Sequence, residues 1–304
     1  MKLARKFGSL RFIRPGVRHR IVEALFPESK SPDLEFTVPF RGLAYRGNLR
    51  NSLDYTVYYY GAYEEQELDV LTMIASRVDQ CVSFDVGCNT GHHLLVLAAH
   101  SSKVYAFEPL SLVREVAIAR ITENSLNNVE FLPFGLGDEN ASRDFYFNQE
   151  SQNQGTGSFR RDHDPSAKFY DKLQLRIGDD WVEENGITRV DLIKIDVEGL
   201  EASVLSGMQR TIATCKPVIQ FEISPLSYRE FQKRGGVNTI LNTLLGGGYD
   251  LYEIVRGKKR FVFFYDPSVY LKVVDKLAER TYTYNILAVP RRLAKVISQF
   301  ELRQ

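Results

Sequence analysis

Disulfide bonds have little material in this chain. Cys81, Cys88 and Cys215 are its three cysteines, an odd and sparse set with no Cys-x-x-Cys spacing. That excludes the framework of a small secreted domain and a thiolate pair for zinc, and it points to a reducing compartment, the cytoplasm. Long apolar runs are missing too. None approaches the roughly 18 residues that a spanning helix needs, and the first residues lack the uninterrupted apolar core of a signal peptide. Neither sign of charge dominates: 39 Lys and Arg against 38 Asp and Glu give a formal net charge of +1. A dedicated nucleic-acid binder carries a strong basic excess, so no nucleic-acid partner is expected. There is also no internal repeat.

What is present is ordinary globular composition. The 304 residues are 44% hydrophobic and 25% charged, which suits one large domain with an appendage. The start of the chain is the exception. Lys2, Arg5, Lys6, Arg11, Arg14, Arg18 and Arg20 all precede the first acid, Glu23, with Phe7, Leu10, Phe12 and Ile13 between them. Such an arm can rest peripherally on an anionic membrane. Weak helical amphipathicity and the interrupting Pro15-Gly16 favour a solvated terminus instead.

Residues 35–60 read as short strands, "EFTVPF", "LAYRG" and "YTVYYYG", on their alternation and β-branched or aromatic content. "YEEQELDVLTMIASRV" (63–78) has apolar residues at helical spacing. From Cys81 strands alternate with helices. "CVSFDVG", "KVYAFEP", "NVEFLPF", "VDLIKIDV" and "KPVIQFEIS" are strands; "HHLLVLAAH", "SLVREVAIARITENS" and "GLEASVLSGMQRTIA" are helices. This pattern predicts an α/β fold, a doubly wound and mostly parallel sheet, with an N-terminal β/α extension. Residues 148–171 are polar and aperiodic and read as a functional or mobile loop. "LYEIVR" (251–256) and "RFVFFY" (260–265) read as a hairpin, "YNILAVP" as a last strand and "RRLAKVISQFELRQ" as a helical tail. The expected division is 1–78 for arm and extension, 79–290 for the main domain and 291–304 for the tail.

The turn "DVGCNTG" carries the first functional signal. No Lys-Ser or Lys-Thr follows Gly91, so it is not a nucleoside-triphosphate loop. Gly87 and Gly91 are separated by three residues and the third glycine of the dinucleotide fingerprint is absent. What remains is a strand carrying Asp85, a close-approach glycine and a helix start that offers N–H groups to an anion. Glu108 ends the next strand, 21 residues after Gly87, where an acid accepts hydrogen bonds from ribose hydroxyls. A ribose and an amino-acid-like end without a diphosphate describe S-adenosylmethionine. A Rossmann-like turn that is tight only for packing is the bland alternative.

A second acidic group follows in "DLIKIDVEGLE". Asp85, Glu108, Asp196, Glu198 and Glu222 all fall at expected strand C-termini, with Lys194 among them. Acids converging on one edge repel unless they bind cations or share protons. The candidate cations are the sulfonium of the cofactor and a divalent metal, for which hard oxygen ligands suit Mg²⁺. Otherwise Lys194 pairs with one acid and the rest are solvated.

At these residues the sequence resembles the FkbM family of class I, Rossmann-like S-adenosylmethionine-dependent methyltransferases. "GAYEEQEL", "FDVGCNTG", "YAFEP", "DLIKIDVEGLEASVLSG" and "VIQFEIS" occur in the family's order, from about Gly61 to Ser224, with a weaker echo at "NILAVP". The resemblance implies O-methylation of a hydroxyl on a glycan, glycolipid or natural product. It implies that Asp85, Gly87, Cys88, Asn89 and Gly91 line the methionine end of the cofactor, Glu108 with Pro109 its ribose, and Gly137 with Asp138 the adenine. Cys88, Thr90 and Gly178 depart from the family's usual alanine, aliphatic and leucine. For catalysis the expected base is Asp196, then Glu198 or Glu222, with Lys194 in the same constellation. His92 and His93 are weaker choices, as paired histidines in a turn tend to face solvent or cap; His163 could arrive with a lid. The competing functions are a non-catalytic module that binds S-adenosylmethionine or a related nucleoside and, behind it, an NAD(P)-dependent oxidoreductase.

Overall fold

A computed structural model describes residues 1–147, 157, 166–255, 269–274, 280–298 and 300–303. The chain starts with two helices, α1 (Lys2–Gly8) and α2 (Pro15–Leu25). Pro15, which interrupts any longer helix, opens the second one, where its missing N–H costs nothing. Arg11 pairs with Glu65 at 2.7 Å and Asp69 at 2.9 Å, and buried Arg18 donates to the Gly8 carbonyl at 2.7 Å. Part of the basic arm is thus spent on the protein itself, while Leu3, Phe12 and Leu25 stay exposed.

Strands β1 (Glu35–Phe40) and β2 (Leu43–Asn48) form the expected antiparallel pair. "YTVYYYG", expected as a strand, is instead part of helix α3 (Ser52–Tyr60). The Asn51 side chain accepts from the Leu53 and Asp54 N–H groups, and Gly61 ends the helix in the left-handed region at φ +92°. Those caps, with Tyr55 and Tyr59 buried one turn apart against Val22, outweigh the β-preference of the aromatic residues. Helix α4 (Glu65–Arg77) follows as expected and packs on the main sheet's helix layer.

The alternating region forms β3 (Val82–Val86), α5 (His92–His100), β4 (Lys103–Phe107), α6 (Ser111–Glu123) and β5 (Val129–Leu132). A side sheet of β6 (Gly135–Gly137), β7 (Ala141–Phe147) and β8 (Lys168–Ile177) comes next, in the order β6-β8-β7. The sequence reading missed it, and strand β8 begins four residues inside the segment read as a loop through 171. Residues 148–156 and 158–165 of that segment, including His163, lie outside the described residues. Then follow α7 (Gly178–Glu184), β9 (Leu192–Ile195), α8 (Glu201–Gly207), α9 (Gln209–Cys215), β10 (Val218–Ile223), α10 (Pro225–Lys233) and α11 (Val237–Gly246). The single helix expected over 199–213 is broken at Met208, next to Gly207, which abuts the Gly137 carbonyl so closely that a Cβ would lie 1.8 Å from it.

The chain ends with β11 (Tyr249–Val255), β12 (Tyr270–Val273), β13 (Tyr284–Pro290), a 3-10 turn at Arg291–Ile297 and β14 (Glu301–Arg303). The turn and second arm of the expected hairpin, 256–268, are outside the described residues; β11 pairs antiparallel with β12. The tail is not one helix: after the 3-10 turn its last described residues extend the sheet beside β12.

The main sheet runs β14-β12-β11-β13-β10-β9-β3-β4-β5 among the described residues. The segment from β10 to β5 is parallel, and β13 and β11 are antiparallel additions. Alternate strand residues sort onto two cores. Val104, Ala106 and Leu192 pack with α4, α5 and α6, while Phe84, Phe107, Ile193 and Phe221 pack with Trp181 of α7 and with α8. The fold is therefore the expected doubly wound, Rossmann-like α/β sheet with an N-terminal β/α extension.

Candidate functional site

From β3 the chain proceeds outward through β4 and β5, then returns to place β9 on the other side of β3. The strand order reverses there, and in such sheets the ligand crevice opens beyond the carboxyl ends of the two strands. Gly87 makes the turn out of β3 with φ +80°, and a Cβ on it would stand 1.9 Å from the Asp196 backbone oxygen. Only glycine permits that approach. Asn89 also sits in the left-handed region, at φ +50°, and its side chain accepts from the Thr90 N–H at 2.7 Å.

Glu108, just past β4, closes onto this turn. Its Oε2 accepts from the Asn89 N–H and its Oε1 from the Leu110 N–H, both at 3.0 Å. Burial pushes the carboxyl up to about 7, against the pull of those two backbone donors. Gly87, Asn89, Glu108, Pro109, Asp196 and Glu198 line one cleft, closed on its other side by apolar residues such as Leu110, Val113 and Phe145.

The remaining expected residues are close but not in that wall. Asp85, Cys88 and Gly91 are buried behind the turn. Asp85 lies opposite Lys194 in the strand register, and Gln220 flanks Lys194 on the other side. Side chains alternate along a strand, so this row faces the α4–α5 layer. The Lys194 ammonium stands 3.3 Å from Asp196, 3.5 Å from Asp85 and 3.2 Å from the Gly87 carbonyl. Burial opposes its charge, but Asp196 and Asp85, with Glu64, hold it well above the usual lysine range. Burial likewise raises the Asp85 carboxyl, which Lys194 counteracts. Gly137 and Asp138 lie to the side: Asp138 is bound by Arg234 and the Ser203 hydroxyl, and it is Gly135 and Leu136 that reach the cleft.

Glu222 stands one step beyond Gln220 on β10, in a group with Asp196 and Glu201. Burial first, then Asp196, Glu201 and Glu198, pushes its carboxyl up to about 10. Glu198 is raised to about 8 by burial, Asp196 and Glu201. Burial and the neighbouring acids thus favour the protonated form of both while no cation is present. Asp196 is the carboxylate that combines a lysine partner with a place in the cleft wall.

The histidines depart from the expectation of solvent-facing or capping side chains. His92 and His93 are 2% and 6% exposed. His92 packs against Phe40, Tyr45 and Tyr63 and donates Nε2–H to the Tyr63 carbonyl at 2.8 Å. Burial lowers it to about 3, so it stays neutral and supports the fold. His93, 3.4 Å from Glu64, is driven well below the usual histidine range by burial and Lys194. Neither lines the cleft.

The sequence reading missed Arg120. Its guanidinium is 2% exposed and donates to the Arg46 carbonyl at 2.8 Å, the Thr90 carbonyl at 2.8 Å and Asp54 at 2.7 Å. It lies over the Tyr45 ring, 4.1 Å from the centroid. One buried cation thus ties the N-terminal extension to the glycine turn. Its place on α6 carries no motif that could have flagged it.

A family model for the FkbM methyltransferase domain matches residues 85–269. The hexuronic acid methyltransferase AglP of Haloferax volcanii is 29% identical over 155 residues, which cover 50% of this chain and 61% of that protein. The 2-O-methyltransferase NoeI of Sinorhizobium fredii is 28% identical over 149 residues, covering 43% and 58% respectively. The chain therefore spans about three fifths of the curated relatives it matches. The crystal structure of an FkbM methyltransferase from Methylobacillus flagellatus aligns with a TM-score of 0.41 at 16% identity, over 69% of this chain and 44% of that one.

Proposed function

Because this chain belongs to the FkbM methyltransferase family, whose model spans more than half of it, we propose that it is an S-adenosylmethionine-dependent O-methyltransferase. The acceptor is a hydroxyl of a glycan, glycolipid or natural product. The names of the two curated relatives, a hexuronic acid methyltransferase and a 2-O-methyltransferase, support that acceptor class. The observation that carries the reading is one cleft at the strand reversal, which joins the Gly87–Asn89 turn and the Glu108 carboxylate to Asp196.

In this reading Glu108 receives the ribose hydroxyls, and the turn from Gly87 to Gly91 holds the amino-acid end of the cofactor. Asp85 and Cys88 set the turn from behind, and Gly137 with Asp138 act at the adenine side through Gly135 and Leu136. The acceptor oxygen attacks the methyl carbon in line with the bond to sulfur. That bond breaks, its electron pair stays on sulfur, and S-adenosylhomocysteine and a methyl ether result. The hydroxyl proton passes to Asp196, which Lys194 holds in place. Positioning of this kind supplies roughly 7–11 kcal/mol in favourable cases, and a general base roughly 10²–10⁴-fold. A divalent cation among the edge acids would add to this by lowering the acceptor's pKa. The 79–290 span, which contains the matched segment, is taken as the catalytic domain. Free cysteines support a cytoplasmic location, and no described helix is long and apolar enough to cross a membrane. The exposed apolar residues of the N-terminal helices support peripheral membrane contact.

The test uses labelled S-adenosylmethionine with a panel of saccharide acceptors, followed by Asp196→Asn on the acceptor that is methylated. Turnover should fall roughly 10²–10⁴-fold while S-adenosylhomocysteine affinity stays within about threefold. Near-normal turnover in the variant removes Asp196 from the proposed role.

A further inference from the structure

We propose that Asp196, Glu201 and Glu222 form a binding site for one hard divalent cation. The three residues come from separate elements: the tip of β9, the first turn of α8 and the tip of β10. One carboxylate oxygen from each lies within 4.8 Å of the other two. Oxygens bound to a common ion at roughly 2.0–2.6 Å stand at most roughly 4–5 Å apart. The three groups therefore need little or no movement to share one ion.

Glu201 supplies the independent sign of a ligand. It is 0% exposed. Its Oε1 accepts from the Val197 N–H at 3.1 Å and the Gly199 N–H at 3.2 Å, which fixes the carboxylate. Its Oε2 is buried and has no hydrogen-bond partner among the described residues. A carboxylate oxygen removed from water and left without a donor is costly. In the turn that precedes it, Glu198 and Gly199 are both left-handed, at φ +52° and +102°.

Lys194 does not neutralise this group alone: it is shared between Asp85, Asp196 and the Gly87 carbonyl. The ion pairs of the described residues include neither Glu201 nor Glu222. Asp196 turns Oδ2 toward Lys194, which leaves Oδ1 for a second positive partner. All-oxygen, carboxylate-rich coordination selects Mg²⁺, Mn²⁺ or Ca²⁺ over softer metals. Because Asp196 also lines the cleft, an ion held here would lie at the cleft wall and would itself favour the ionised form of an acceptor hydroxyl, with Asp196 then acting as its ligand in place of the base. That catalytic use rests on the methyl-transfer reading, whereas the binding of the ion does not.

The experiment titrates Mn²⁺ into the full chain without cofactor and reads free Mn²⁺ by electron paramagnetic resonance, with Mg²⁺ and Ca²⁺ as competitors. One ion should bind per chain, and the competitors should displace it. Glu222→Gln, at the partly open end of the site, and Glu201→Gln should each weaken binding by about tenfold or more, at least the loss seen when a metal's outer shell is altered. Glu130→Gln, on a distant exposed ion pair, should leave it unchanged. Circular dichroism and S-adenosylhomocysteine binding verify that each variant is folded; if Glu201→Gln is not, Glu222→Gln decides alone. Absence of saturable Mn²⁺ binding in the wild type overturns the proposal, and so does binding that Glu222→Gln leaves intact. Failure of the methyltransferase reading would show instead as lost S-adenosylhomocysteine binding in a protein that still takes up Mn²⁺.

Discussion

Replacing Glu108 by Gln perturbs the cleft at the atoms on which the cofactor reading turns. In the free protein both oxygens already accept a backbone N–H, and burial still holds the carboxyl at about 7. Ribose hydroxyls donate to the ionised form, so cofactor binding is coupled to loss of the Glu108 proton. Affinity for S-adenosylhomocysteine should level off above about pH 8 and fall by about tenfold from there to about pH 6, equivalent to about 1.4 kcal/mol. The Gln variant keeps the shape but turns an N–H₂ toward one of the two backbone donors. A hydrogen bond to a charged group is worth about 1.5–3 kcal/mol, so the variant should bind roughly 10- to 150-fold more weakly at pH 8. It should also lose the pH dependence. Stability follows the opposite trend. The folded value lies above the ordinary 4.5, so this stabilisation is complete below about pH 4.5 and is lost as pH rises through about 7, amounting to about 3 kcal/mol. Thermal unfolding of the cofactor-free wild type should therefore decline more steeply between pH 5 and 8 than that of the variant. The assay is calorimetry at pH 6, 7 and 8 on both proteins. A wild-type affinity that is flat with pH, or a variant that binds equally well at pH 8, refutes the reasoning.

Two further substitutions probe how the site is held. Gly87→Ala puts a Cβ 1.9 Å from the Asp196 carbonyl at a residue with φ +80°; it should lose at least about 1–3 kcal/mol in urea unfolding together with cofactor binding, and a near-normal midpoint contradicts the tight contact between the strand ends. Arg120→Met leaves Asp54 buried without its cation and should cost about 3–5 kcal/mol. Arg120→Met combined with Asp54→Asn should recover part of that loss in a double-mutant cycle, and strictly additive losses would show that the pair is not coupled.

How much of this could be read from the sequence depends on the kind of signal. The parallel sheet was legible from apolar strands alternating with helices, and Gly87 and Glu108 at their spacing marked a ligand turn, which the structure draws together through the Asn89 N–H. Local composition misled at "YTVYYYG", where a cap at Asn51 and the burial of Tyr55 and Tyr59 decide for helix. It also misled at His92, whose aromatic surroundings come from Phe40, Tyr45 and Tyr63, distant in sequence. Arg120 could not be found, because its partners at 46, 54 and 90 belong to three other segments. Nor could Glu201 be told from its neighbours: it was one acid among several in "DVEGLE", and its buried, unpartnered oxygen is a product of the fold.

The most direct measurement is calorimetry of the full chain at pH 8 with S-adenosylhomocysteine, NADH and ATP in parallel. A methyltransferase cleft of this construction binds S-adenosylhomocysteine saturably at one per chain and neither of the others. Saturable NADH binding, or no binding of S-adenosylhomocysteine by the folded protein, contradicts it.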